Sequence, residues 1–143
     1  MKRILIPMVF LVAFPFSANA EYSTLDDMAK AFGDTSCMTC HEKVHKEWKV
    51  SFHSQSVVHS LGGLRNFLVH GVKEAWKQQA NKEHLMRCMD CHAPQLKEAS
   101  ESLAAVVVDL ILTAVDDKDE SKKAEAVKKL SGLNVSCIIC HNT

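Results

Sequence analysis

The stretch CMTCHEKVHKEWKVSFHSQS, residues 37–56, decides how the rest of this sequence is read. It opens with Cys37, Met38, Thr39, Cys40 and His41, and the same spacing returns as CMDCH (Cys88, Cys91, His92) and as CIICH (Cys137, Cys140, His141). All six cysteines of the chain are used, and none is left over. Two thiols separated by two residues and followed at once by histidine form the attachment signature of a c-type haem. Thioethers on the two cysteines hold the porphyrin while the histidine turns beneath the ring to ligate iron.

A zinc knuckle, a redox dithiol or plain disulfides also use Cys-x-x-Cys, but none of them requires histidine directly after the second cysteine. Histidine is 8 of 143 residues, so chance would set it there three times with a probability of roughly 1 in 6,000. The chain is therefore expected to carry three haem c groups, attached at Cys37 and Cys40, Cys88 and Cys91, and Cys137 and Cys140. His41, His92 and His141 are the proximal iron ligands.

Residues 1–20 read as a secretory signal. Lys2 and Arg3 give the charged start, residues 4–16 the apolar centre, and Ala18, Asn19 and Ala20 a small-residue cleavage site before Glu21. The apolar run of 13 residues is broken by Pro7 and Pro15 and falls short of the roughly 20 needed to span a bilayer. A single trihaem domain over residues 21–143, in the bacterial periplasm or outside the cell, is the expectation. Without Lys2 and Arg3, 15 basic residues face 17 acidic ones. Haem propionates make the oxidised protein more acidic still, which gives no reason to expect nucleic acid as a partner.

Helical signals dominate along the chain. TLDDMAKAF, residues 24–32, suits a short helix capped by Thr24 and ended by Gly33. Residues 42–50 have helix composition, with Val44 and Trp48 on one face. Gly62 and Gly63 suggest a turn before an amphipathic stripe of Leu64, Phe67, Leu68, Gly71, Val72, Ala75 and Trp76. Pro94 restricts how the chain leaves the second motif. Residues 102–115 are apolar round most of a helix, with Ser102, Asp109, Thr113 and Asp116 on a narrow strip, and should be buried on more than one side. Burial within the domain is favoured there over a subunit interface. The charged run 116–129 reads as a solvated face with acids leading, lysines closing, and Gly132 at the cap. The fold expected is mainly α, a small multihaem cytochrome c with helices and loops packed around three covalently bound haems.

Five histidines remain for three distal positions: His45, His53, His59, His70 and His84. That is enough for complete bis-histidine ligation, which leaves iron no site for substrate and favours electron transfer over catalysis. His53 lies too far past His41 to return easily to the same haem. It is assigned to the third haem, because no free histidine lies between His92 and His141. His84 and His59 are the next candidates. His70 lies off the centre of the Leu64 stripe, and His45 is read as a hydrogen-bond partner or an exposed residue. Met86 and Met89 are weaker candidates while histidines are available.

With Trp48 and then Ser-x-His at residues 51–53 after the first motif, followed by RCMDCHAPQ and NVSCIICHN, the chain resembles the multihaem cytochromes related to hydroxylamine oxidoreductase and its tetrahaem electron-acceptor cytochrome. The likeness spans most of residues 37–143 and is specific near the haem motifs. It implies a mainly helical protein with haems in parallel and perpendicular pairs, serving as an electron carrier or as an enzyme of nitrogen and sulfur compounds. It also implies that the histidine matching His53 reaches a haem other than its own. The chain departs from the pattern in having no fourth motif, and it lacks the lysine-for-histidine and tyrosine-crosslink features of the catalytic relatives.

The function expected is relay of single electrons between redox partner proteins, either donor and acceptor cytochromes or a quinol-oxidising membrane complex. One rival is a haem enzyme reducing a small nitrogen or sulfur oxide at a five-coordinate iron. Another is a haem-bearing subunit of a larger complex or filament, in which a neighbour completes the third haem.

Overall fold

The computed structural model describes residues 21–141. The signal reading of residues 1–20 lies outside them. The described residues form eight α-helices in chain order: α1 (Leu25–Phe32), α2 (Thr35–Met38), α3 (Glu42–Lys49), α4 (Leu61–Asn66), α5 (Lys82–His92), α6 (Glu101–Asp116), α7 (Glu120–Leu130) and α8 (Cys137–His141). Short 3-10 turns at His53–Gln55, Val58–Ser60 and Pro94–Glu98 join them. Among the described residues the only β feature is an isolated parallel bridge between Tyr22 and Ala99, so the mainly α reading holds.

Side chains that satisfy free N–H groups of the first turn mark the starts of α1, α5, α6 and α7. Thr24 accepts from Asp27 N at 3.1 Å to begin α1, and Gly33 ends that helix, as its sequence suggests. Asn81 accepts from His84 N at 3.1 Å to begin α5, and Ser100 accepts from Leu103 N at 3.1 Å to begin α6. Asp119 caps α7 by accepting from Ser121 Oγ and Ser121 N, and these hydrogen bonds, the hydroxyl's first, hold its carboxyl below the usual range. The C-cap of α7 is Ser131, with Gly132 one residue beyond and not in the left-handed region.

The core is built where α4, α5, α6 and α7 meet. Leu61, Leu64, Leu68, Leu85, Met89, Leu103, Val107, Ile111 and Leu130 are buried there, with Met28 from α1 added to them. Helix α6 is the central member and packs against α4, α5 and α7, as expected from its apolar circumference. Its exposed side includes Val106. The strip residue Asp116 pairs with Arg65 Nε at 2.9 Å across to α4.

Two expectations change. Gly62 and Gly63 lie inside α4 rather than in a turn. They face outward with nothing within 4 Å of an added Cβ, while Leu61 and Leu64 on either side face the core. Glycine is a poor helix former but does not break a helix whose flanking side chains are anchored. Second, the helix continues as a π-helix, Phe67–Ala75, instead of an α-helix. Trp76 N reaches back five residues to Gly71 O at 3.0 Å, and Gln78 N six residues to Val72 O at 3.1 Å. This wider winding keeps Leu68 and Val72 buried but turns Ala75 and Trp76, the last two members of the stripe, out to solvent. Lys77, at φ 56, then reverses the chain toward α5. The helix read over residues 42–50 is present as α3, where Val44 is 61% exposed and Trp48 is half-buried.

Candidate functional site

The second motif is built into a long helix. Leu85 and Met89 on one side of α5 enter the core, which rules out Met89 as a side chain reaching outward, while Cys88 is half-buried and Cys91 exposed. Burial, and then the neighbouring Cys91, push the Cys88 thiol above its usual range. His92 is the last residue of α5, and residues 56–60 grip it. Its Nδ1 lies 2.9 Å from the Ser56 carbonyl and 3.1 Å from Ser60 Oγ. A carbonyl can only accept, so Nδ1 carries the proton and Nε2 keeps its lone pair. Ser56 Oγ donates in turn to the His92 carbonyl, one of the helix-terminal carbonyls that lacks a partner within α5. Nothing in the sequence singles out either serine, because the contact spans more than thirty residues.

The first and third motifs sit on short helices and meet each other. Cys37 lies in α2, Cys40 in the following turn, and His41 caps α3. Helix α8 carries the whole third motif. Cys37 and Cys137 are half-buried, while Cys40, Cys140, His41 and His141 are exposed. Burial, and then the adjacent Cys37 and Asp34, push the Cys137 thiol above its usual range. Two bonds from the stretch after the first motif hold this approach. Trp48 Nε1 donates to the Val135 carbonyl at 2.9 Å, and Val135 N donates to the His53 carbonyl at 3.0 Å.

The remaining histidines divide by what holds them. His45 has Nε2 on Asp34, consistent with its reading as a hydrogen-bond partner, and its ring lies 5.6 Å from that of Trp48. His70 is exposed on the π-helix, with Nδ1 donating to Glu74 at 2.7 Å. That bond is the main cause of Glu74's lowered pKa. His59 is exposed, bonded to Gln55 Oε1 at 2.7 Å and edge-on to Phe52. His53 is exposed where the backbone meets Val135. His84 is buried: Nε2 donates to Gln78 Oε1 at 2.8 Å, and Nδ1 has no partner. Its ring lies 5.7 Å from Trp76, over which the Arg87 guanidinium stacks at 5.1 Å.

A family model described as "Cytochrome c554 and c-prime" matches residues 36–110, just over half of the chain. The chain belongs to this family. It is a c-type cytochrome with covalently bound haem c and a role in electron transfer. The match takes in the first two motifs and leaves the third outside it. No curated protein and no solved structure matches the chain.

The residues of this cytochrome fit haem. Free thiols stand in pairs within or beside helices, and His92 has one nitrogen anchored and the other free. A buried imidazole nitrogen of His84 lacks a partner, and Val44, Val50 and Phe52 are exposed apolar side chains in the stretch after the first motif. Among the described residues no helix is long and apolar enough to cross a membrane.

Proposed function

We propose that this cytochrome is an exported, trihaem, bis-histidine electron relay, periplasmic or extracellular after cleavage near Ala20. Haem, when bound, would supply a one-electron ferric–ferrous couple at each motif. The chain's part is to attach, orient and space the rings. Cys37, Cys40, Cys88, Cys91, Cys137 and Cys140 tether them, and His41, His92 and His141 ligate from the proximal side.

The observation that carries this reading is the strap formed by residues 48–60. It leaves the first motif, bonds the approach to the third through Trp48 and His53, and grips His92 of the second through Ser56 and Ser60. One short segment thus gathers three motifs that are far apart in sequence, which is the arrangement electron hopping needs. His53, His84 and His59 supply the distal ligands, with His53 serving the third haem. The contact between the His53 carbonyl and Val135 N supports that assignment. So does the engagement of His45 and His70 with carboxylates. Donor and acceptor are other redox proteins.

The test is a mass and optical measurement on the secreted protein. Three haems, a low-spin ferric spectrum and no reaction of the reduced protein with carbon monoxide are expected. A high-spin component that binds carbon monoxide would instead favour the reading as an enzyme of small nitrogen or sulfur oxides.

A further inference from the structure

We propose that Ser60, together with the Ser56 carbonyl, sets the electron-donating strength of His92 and so lowers the reduction potential of the second haem below those serine-free ligation would give. This rests on the reading that the second motif carries haem. The Nδ1 proton of His92 is shared between the Ser56 carbonyl at 2.9 Å and Ser60 Oγ at 3.1 Å. Two acceptors on one N–H draw the proton away from the ring and make Nε2 a stronger donor, as outer hydrogen bonds do for metal-bound histidine. A stronger donor stabilises ferric iron over ferrous, which moves the potential down.

The arrangement is built to last through a redox cycle. Ser56, Ser60 and His92 are all half-buried, so water competes weakly for these bonds. Val57, fully buried between the two serines, anchors the turn, and Ser60 N donates to the Val57 carbonyl at 3.0 Å. The reciprocal bond from Ser56 Oγ to the His92 carbonyl fixes the backbone under the ring, so the imidazole plane has little freedom to rotate. His41 and His141, by contrast, are exposed. The effect should therefore be confined to one haem of the three. Ser60 acts through His92 and is a positioning residue rather than a ligand.

The experiment compares the haem-loaded full chain with S60A and S60T, and with S60V as the isosteric partner of S60T, by mass and by spectroelectrochemical redox titration. Three haems by mass in every variant are expected. In S60A and S60V one redox transition should move to higher potential while the other two stay in place, and S60T should return it toward the original value. Unchanged potentials in S60A and S60V, or an equal shift of all transitions, with three haems bound, would overturn the role of Ser60. Wild-type protein lacking haem on Cys88 and Cys91 would instead overturn the underlying reading, and the proposal with it.

Discussion

The second motif and the first–third pair solve the same attachment problem in opposite ways. Around Cys88, Cys91 and His92 the polypeptide is already committed: an 11-residue helix is capped by Asn81, pinned in the core by Leu85 and Met89, and closed on His92 by two serines. Around Cys37 and Cys137 the helices have 4 and 5 residues, too short to be stable alone. They are tied in through Trp48 and Val135. A ring attached to a core helix is coupled to the packing of the whole domain, whereas a ring attached to a marginal helix matters chiefly for the order of that helix.

The largest expected break in this comparison comes from the cysteines. Replacing Cys88 and Cys91 together by alanine should prevent folded protein from accumulating, because the haem lost there would have packed against the core helix. Replacing Cys37 and Cys40 should leave a folded chain that weighs one haem less. Yield and intact mass read both, and normal yield of a two-haem C88A/C91A protein would show that the second site is not the organising one.

Next in size is Met89→Ala, which opens a cavity at a fully buried position and should cost about 2–5 kcal/mol in denaturant unfolding. Ile139→Ala, half-buried in the third motif, should cost clearly less. Equal losses would erase the distinction between the two regions.

Trp48→Phe keeps most of the ring but removes the Nε1 bond to Val135, for a loss of about 1 kcal/mol. It should act on the first–third pair alone. Hydrogen exchange of the Val135 amide should speed up, while amides around Met89 keep their protection.

Acidification gives the smallest effect. Glu74 has a lowered pKa, chiefly through its bond from His70, so its contribution is present above the ordinary carboxylate value and is lost as pH falls through its folded value. Both residues are exposed, so an NMR titration should show the change at Glu74 and His70 with both haem regions unmoved.

Much of the fold is legible locally. Thr24 and Gly33 bracket α1, and the apolar circumference of residues 102–115 announces the central helix. Two readings fail, each for its own physical reason. Reading Leu64 to Trp76 as a single stripe assumes 3.6 residues per turn, and the π-helical winding after Asn66 breaks that assumption. Reading Gly62 and Gly63 as a turn weighs their intrinsic preference above the pull of Leu61 and Leu64 into the core. Val44 shares a helix face with Trp48, yet only Trp48 meets a neighbouring segment.

By itself the sequence determined the chemistry. A thiol pair with an adjacent histidine is a covalent and coordinative pattern complete within five residues, so it needs no partner elsewhere to be recognised. Tertiary structure alone decided which motifs are neighbours, which histidines are occupied by carboxylates, and which proximal histidine is gripped by serines. Those outcomes depend on contacts between residues remote in the chain, and such contacts exist only once α4, α5, α6 and α7 have packed and drawn the strap across them.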